Sequence, residues 1–112
     1  MKKKNLDEYL AEIGRAKLLT IDEELELVKA VQEKGVDCEE MKRLEKASAR
    51  FVVSVANQYK DKGLTLMELV DAGMVGLRRA AMKYDLKYDF KFIAYAVWWI
   101  RQAMIQAINE KS

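Results

Sequence analysis

Residues 90–103 read FKFIAYAVWWIRQA, and they decide how the rest of the chain is interpreted. At about 100° per residue, one stripe of this segment and its continuation is aliphatic and small, which is typical of the core side of an amphipathic helix. The stripe consists of Ile93, Ala96, Val97, Ile100, Met104, Ala107 and Ile108. We predict a helix that begins after the polar turn 85–89, with Asp89 as its N-cap, and runs to about Glu110.

A second face of the same helix carries large aromatic side chains beside glutamines. This face comprises Tyr95, Trp99, Gln102 and Gln106, flanked by Phe92 and Trp98. Aromatic rings stack on unpaired bases, glutamine amides can read a base edge, and basic side chains such as Lys91 and Arg101 bind phosphates. The face therefore fits single-stranded nucleic acid. From the pattern alone, however, tryptophans that cap the core and glutamines that face solvent are the favoured alternative.

The composition outside this segment predicts one all-α domain. The 112 residues include no proline and five glycines, so helix breakers are few. The single cysteine, Cys38, can form no internal disulfide and suits a reducing cytoplasm. The longest apolar run, 92–100, is too short to span a bilayer, and the basic start is not followed by the apolar stretch of a signal peptide. We therefore expect a cytoplasmic protein without a membrane partner.

Three helical segments precede residue 60. The first runs from about Leu6 to Ile13 and stops at Gly14. The second begins with a capping box over 20–23 and runs to about Lys34, with Gly35 as its C-cap. The third spans about 38–59, and its centre, 51–56, is apolar nearly all round, which predicts a helix buried on several sides.

The fourth helix begins with a second capping box over 65–68 and ends near Lys83. Its predicted inner stripe contains Leu66, Leu69, Val70, Gly73, Leu77, Ala80, Ala81 and Tyr84. Gly73 lets a neighbouring helix approach closely. The predicted outer face contains Glu68, Asp71, Ala72, Val75, Arg79 and Met82. Val75 and Met82 are either scattered exposed apolar residues, which the pattern alone favours, or part of a partner-binding face.

Charge and motif content narrow the function classes. The net charge is +2, but residues 1–47 carry a net −2 and residues 48–112 a net +4, a weak indication of a polyanionic partner. The chain has no histidine, which excludes imidazole catalysis and histidine-containing metal sites. The glycines at 73 and 76 form only G-x-x-G, not a phosphate-binding loop. We therefore expect neither an enzyme nor a bound metal or cofactor.

The order of residues in 90–103 closely resembles the promoter-melting segment of primary sigma factors of the sigma-70 family. Residues 50–56, RFVVSVA, and 73–77, GMVGL, are similar to other segments of that family, in the right order and spacing. Residues 6–35 resemble the segment that precedes them there. The resemblance implies a bundle of about five helices like sigma region 2. It also implies that the chain consists of a tail at 1–5 and a helical domain at 6–112, whose part from 38 onwards would bind polymerase and melt promoters.

The resemblance also implies an initiation factor that binds core RNA polymerase and the single-stranded non-template strand of the promoter −10 element. Tyr95 would stack on the flipped-out adenine, and Gln102 would read the last paired base. The adenine pocket would be formed with Tyr84, Asp85, Tyr88 and Phe90. The upstream edge of the bubble would be held by Trp98 and Trp99. The phosphate contacts would be Lys83, Lys87, Lys91 and Arg101, and the pocket for the last −10 base would be lined by Ser48, Phe51 and Ser54. The predicted DNA-binding set also includes Phe92 and Gln106.

The outer face of the fourth helix would dock on the coiled coil of the polymerase's largest subunit. The residues implied for this contact are Met67, Glu68, Asp71, Ala72, Met74, Val75 and Arg78. The chain departs from the usual family pattern at Glu68, Asp71, Ala72, Met74 and Arg78 on this helix, and at Ser48, Tyr88, Ala94 and Ile105 elsewhere. An anti-sigma factor is a further implied partner. The alternative is a sigma mimic, an interaction protein that keeps the fold and binds a regulator instead.

Overall fold

Five α-helices account for most of the chain that the computed structural model describes, which is residues 6–15 and 19–111. The helices are α1 Leu6–Arg15, α2 Ile21–Lys34, α3 Glu39–Asn57, α4 Leu66–Lys83 and α5 Phe92–Lys111. No strand occurs within these two ranges, so the predicted all-α fold is confirmed. No helix in the described part has both the length and the apolarity needed to cross a membrane.

Reciprocal capping boxes fix the starts of α2 and α4, as predicted. The Thr20 hydroxyl accepts a hydrogen bond from the Glu23 amide at 3.1 Å, and the Glu23 carboxylate accepts one from the Thr20 amide at 3.0 Å. The same pair of bonds joins Thr65 and Glu68, at 3.1 and 2.8 Å. Each box satisfies two of the backbone N–H groups that have no partner within the first turn of a helix.

Of the predicted C-terminal helix ends, that of α2 is confirmed, whereas those of α1 and α3 are not. Gly35 is the C-cap of α2, with φ at 93°, a conformation that favours glycine, and its amide donates to the Val31 carbonyl at 2.7 Å. The predicted stop at Gly14 is wrong, because α1 continues through it to Arg15. The end of α3 lies at Asn57, two residues before the predicted end.

The predicted start of α5 is also wrong. Asp89 is not the N-cap, because the helix begins at Phe92. The carbonyl of Lys91 instead accepts hydrogen bonds from the amides of Ala94, at 3.1 Å, and Tyr95, at 3.4 Å. Residues 84–91 therefore form a longer non-helical connection than the sequence predicts.

The core lies where α3, α4 and α5 meet. Val52 of α3, Leu69 and Leu77 of α4, and Ile100 and Met104 of α5 are fully buried. The centre of α3 is buried on several sides as predicted, since its side chains in the core are Val52, Val53, Val55 and Ala56. Helix α4 is central, because it packs against α2, α3 and α5.

Two glycines of α4 allow α5 to approach closely. A Cβ at Gly73 would lie 2.6 Å from Cε of Met104 and 2.8 Å from Cγ1 of Val52, so the predicted close approach is confirmed. A Cβ at Gly76 would overlap the main-chain carbonyl oxygen of Trp99, which is a tighter contact with less freedom to adjust. Gly76 thus sets the position of the part of α5 that carries Trp99.

Candidate nucleic-acid interface and partner-binding face

Seven aromatic rings at the end of α4, in the following turn and in the first half of α5 form a continuous network. We call it the aromatic cluster, and its members are Tyr84, Tyr88, Phe90, Phe92, Tyr95, Trp98 and Trp99. The close packing of α4 against α5 brings these rings together although they span 16 positions of sequence from the first ring to the last, counting both. The structure therefore unites the aromatic residues that the sequence singled out.

Tyr84 is the buried hub of the aromatic cluster. Its ring makes edge-to-face contacts with Tyr88 and Phe92, at 5.4 Å between centroids, and with Tyr95, at 5.5 Å. Its hydroxyl donates to the Phe90 carbonyl, which closes the turn between them. Burial raises the pKa of the Tyr84 hydroxyl. Because its ring is covered on several sides, Tyr84 shapes the cluster and offers no open face to a base.

Phe92 also lies on the core side, and this corrects the prediction that it flanks the exposed aromatic face. Its side chain is only 1% exposed. It packs edge-to-face against Tyr84, with an interplanar angle of 89°. Phe92 therefore supports the aromatic cluster from below and cannot stack on DNA.

The remaining rings of the aromatic cluster reach solvent. Trp98 is 59% exposed, Tyr88 and Phe90 are exposed, and Tyr95 and Trp99 are half-buried. Tyr88 and Phe90 stack on each other with centroids 4.7 Å apart and an interplanar angle of 19°. Tyr95 contacts both of them and also Trp99, at 6.2 Å. A contiguous aromatic surface centred on Tyr95 is thus available for stacking.

Exposed basic side chains accompany this surface. They are Lys83, Lys87, Lys91 and Arg101. Asp85 organises the turn that carries Lys87 and Tyr88. Its carboxylate accepts from the Lys87 amide at 2.9 Å, and its carbonyl accepts from the Tyr88 amide at 2.9 Å. Asp85, which was predicted to help form the adenine pocket, therefore has a structural role within the turn, which is to hold it in place.

The glutamines and the α3 residues of the predicted site are spread more widely. Gln102 and Gln106 are exposed, but Gln106 donates to Glu110 at 3.1 Å and lines a groove between α4 and α5. It lies about 16 Å along the helix from Tyr95, so it does not share the aromatic surface. Of the three residues predicted to line the second base pocket, the structure shows Ser54 exposed, Phe51 half-buried and Ser48 buried. Burial of Ser48 makes a direct contact with a base the weakest part of that prediction.

The outer face of α4 presents an apolar centre to solvent, as the pattern allowed. Val75 and Met82 are exposed, and together with Val36 and Trp99 they line a groove beside the aromatic cluster. Around this centre, the predicted docking residues Glu68 and Asp71 are polar and exposed, whereas Met67, Ala72 and Arg78 are half-buried.

Two predicted docking residues need correction or qualification. Met74 is only 8% exposed and belongs to the core, so its placement on the outer face is wrong. Arg78 is half-buried and pairs with Glu45 of α3 through two contacts, at 3.2 and 3.3 Å. The Arg78 charge is therefore neutralised within the domain rather than presented to a partner.

Sequence reasoning assigned no role to two polar residues of α2 that face the aromatic cluster. Gln32 donates to the carbonyls of Ala81 and Tyr84 at the end of α4. Burial raises the pKa of the Glu24 carboxyl, while the ammonium of Lys91 opposes that shift. Gln32 lies four residues after the buried Val28, and this spacing was the signal in the sequence that it points inward.

Comparison with known protein families agrees with this architecture. The Sigma-70 region 2 family matches residues 45–112, which include the whole aromatic cluster and α4. The chain belongs to the sigma-70 family. A second match, to sigma-70 factor region 1.2, covers residues 6–36, which include α1 and α2. The predicted resemblance is confirmed for both segments.

Individual sigma factors show the same relationship. RNA polymerase sigma factor SigA of Listeria monocytogenes is 46% identical to this chain over 104 residues, and SigA of Clostridium acetobutylicum is 41% identical over 104 residues. Each alignment covers 93% of this chain and 27% of the relative. The chain thus spans about a quarter of the length of these curated relatives, the part that corresponds to regions 1.2 and 2.

Proposed function

We propose that this chain is the promoter-binding part of a transcription initiation factor. In this proposal it binds core RNA polymerase in the cytoplasm and captures unpaired non-template bases of the −10 element on the aromatic cluster. The observation that carries the proposal is the exposed aromatic surface around Tyr95, accompanied by exposed cations and located in a sigma-70 region 2. The organisation into a tail at 1–5 and a helical domain at 6–112 belongs to the same proposal.

The energetics of base capture support this function. Extruding a base from a duplex costs a few kcal/mol, and stacking on an aromatic side chain returns about 1–3 kcal/mol per base. Several rings around one position can therefore offset the cost of opening without ATP hydrolysis. Tyr95 is the natural stacking partner because it is central to the surface, and Trp98 is suited to hold the edge of the opened region because it is the most exposed ring of the aromatic cluster.

Phosphate contacts from the surrounding cations would add affinity that depends on salt. Lys87 and Lys91 are in the connection between α4 and α5, directly beside the exposed rings. They would hold the strand while the rings select unstacked bases. This division assigns sequence-independent affinity to the cations and preference for open DNA to the aromatic surface.

The outer face of α4 supplies a surface for the polymerase. Val75 and Met82 give it an apolar centre, and acidic residues such as Glu68 and Asp71 lie on its rim. An exposed apolar centre with a polar rim is the usual anatomy of a protein interface. We propose the coiled coil of the polymerase's largest subunit as the partner of this face.

Replacing Tyr95 tests the proposed function. Tyr95→Ala should weaken binding to single-stranded −10 DNA by about 1–3 kcal/mol, because one stacking ring is lost. The measurement is fluorescence anisotropy of a labelled strand, with far-UV circular dichroism to show that the fold is retained. Tyr9→Ala is the matched control, since Tyr9 is also half-buried but belongs to α1. An equal loss in both variants, or an affinity per folded molecule that Tyr95→Ala leaves unchanged, would contradict the proposal.

A specific observation favours the second candidate, a sigma mimic that binds a regulator instead of polymerase. Met74 is buried and Arg78 is paired with Glu45, so the polar rim of the α4 outer face differs from the one that the family pattern implies. Binding of the folded chain to core polymerase separates the two candidates. Failure to bind polymerase would favour the mimic.

A further inference from the structure

Gln32 of α2 caps the C-terminal end of a different helix. Its side-chain amide donates to the carbonyl of Ala81 at 2.9 Å and to the carbonyl of Tyr84 at 2.6 Å, across 49 and 52 positions of sequence. The last carbonyls of an α-helix have no partner within the helix and need donors from elsewhere. The residue after the end of α4, Tyr84, is its C-cap and has an extended conformation, with φ −65° and ψ 129°, so the helix has no glycine cap. Gln32 therefore supplies donors where α4 itself provides none.

The carbonyls that Gln32 holds belong to the backbone on which the aromatic cluster is built. The ring of Tyr84 contacts Tyr88, Phe90, Phe92 and Tyr95. Its hydroxyl also closes the turn to the Phe90 carbonyl. A shift of the Tyr84 backbone would therefore change the contact of Tyr84 with each of these rings.

We propose that Gln32 is a positioning residue for the aromatic cluster. By holding the carbonyls of Ala81 and Tyr84, it keeps the exposed rings in the arrangement that accepts an unpaired base. The inference rests on the proposed function and deepens it. Gln32 belongs to α2, which lies within the residues that match region 1.2 and contributes none of the rings. In this proposal α2 therefore affects base capture indirectly, through the backbone of Tyr84.

Two substitutions of Gln32 separate positioning from simple stabilisation. Gln32→Met keeps the length of the side chain but removes both donors. Gln32→Lys keeps donors on a side chain of similar reach, and an ammonium near helix carbonyls is favourable. Asn57→Leu is the control, because it replaces an exposed amide at the end of α3 with an apolar isostere.

The binding probes are short fluorescein-labelled thymidine strands with and without one central adenine. They are measured with the full 112-residue chain at a temperature where far-UV circular dichroism shows complete folding. Gln32→Met should weaken binding of the adenine strand about three- to tenfold, a part of the loss expected when one stacking ring is removed. The preference for adenine should fall, while the slope of affinity against salt stays the same, because phosphate contacts are unaffected. Gln32→Lys and Asn57→Leu should keep the preference.

Near-UV circular dichroism, which reports the packing of aromatic rings, tests positioning without DNA. Gln32→Met should reduce this signal and Asn57→Leu should not. If wild type binds neither strand, the proposed function fails, and the near-UV signal alone decides whether Gln32 positions the rings. An unchanged adenine preference and near-UV signal in folded Gln32→Met would overturn the inference. If Gln32→Met does not fold, Gln32→Lys decides: a retained preference supports the inference, and a lost preference in the folded variant contradicts it.

Discussion

Many side chains of this domain are buried where helical periodicity predicts burial. A few others are buried only because of contacts between helices. The inner stripe of α4 could be predicted because Leu69, Leu77 and Ala80 repeat at helical spacing. The structure shows all three buried. Met74 could not, because α4 packs against three other helices and its buried face is wider than one stripe. The same limit applies to Phe92, whose burial depends on Tyr84 from another segment.

Polar contacts between residues that are distant in sequence could not be predicted either. Arg78 pairs with Glu45, 33 positions away, and Gln32 reaches Tyr84, 52 positions away. No local pattern reports which carboxylate or carbonyl lies opposite such a side chain. The members of the candidate site that reach solvent were easier to predict, because the half-buried Tyr95 and the exposed Trp98 lie beside a stripe that already supplies the core.

Glu24 gives a residue-scale prediction with a defined pH dependence. Burial raises the pKa of its carboxyl above the ordinary value, so between that value and the raised pKa the folded state binds more protons than the unfolded state. The contribution of Glu24 to stability is therefore most favourable at low pH and decreases as pH rises through the raised pKa. Glu24→Gln should increase the melting temperature at pH 7, since a partly buried charge is removed.

The stability difference between Glu24→Gln and wild type should shrink as the pH falls toward 4.5, the ordinary carboxyl value. Thermal unfolding of both proteins across this range measures it. Glu68→Gln is an informative comparison, because the hydrogen bonds from Thr65 hold the pKa of the Glu68 carboxyl below its ordinary value and the sign is reversed. A Glu24→Gln protein that is less stable than wild type at pH 7 would show that the attraction to Lys91 outweighs burial.

At the scale of helices, local signals specified the starts better than the ends. The capping boxes at Thr20 and Thr65 fix α2 and α4 where the sequence places them, because each box is complete within four residues. Asp89 is also a suitable N-cap residue by type, yet α5 begins later. The Tyr84 hydroxyl bond to the Phe90 carbonyl and the burial of Phe92 favour a longer turn than local preference does.

The contact between α4 and α5 yields a prediction at Gly76. Gly76→Ala should destabilise the domain by about 1–3 kcal/mol, because the new methyl group meets the backbone of Trp99, which cannot rotate away. This cost should exceed the gain of up to about 1 kcal/mol that alanine brings to a helix. Urea unfolding, followed by the fluorescence of Trp98 and Trp99, measures the free energy of unfolding.

Gly73→Ala is the matched comparison for Gly76→Ala. Its Cβ would meet the side chains of Met104 and Val52, and the end of the methionine side chain can move. We expect a smaller loss of stability than at Gly76. A Gly76→Ala protein as stable as wild type would show that α4 and α5 can separate without cost.

In the folded molecule, the outer face of α4 and the aromatic cluster lie side by side. The exposed centre of the α4 outer face and the aromatic cluster share a groove lined by Val75, Met82 and Trp99. Both surfaces could be predicted in outline from the sequence, because Val75 and Met82 lie opposite the inner stripe of α4 and the aromatic residues lie beside the aliphatic stripe of α5. Their adjacency depends on the packing of α4 on α5 and was not evident from either helix alone.

The proposed polymerase contact predicts a large effect at Val75. Val75→Asp should lower affinity for the coiled coil of the polymerase's largest subunit at least about tenfold, since an unpaired charge in an interface is costly. Leu86→Asp is the matched control, because Leu86 is 39% exposed and Val75 38%, but Leu86 lies after the end of α4. Surface plasmon resonance with the isolated coiled coil measures both variants. Equal affinities of the two variants would argue against docking through α4.

The most direct test of the central claim, that the aromatic cluster binds unpaired bases, compares wild-type binding to one −10 sequence as a single strand and as a duplex. Fluorescence anisotropy at constant salt measures both affinities. Because duplex bases must first be extruded at a cost of a few kcal/mol, the single strand should bind at least about tenfold more tightly. Equal or tighter binding of the duplex would contradict the claim and leave only a phosphate-binding surface.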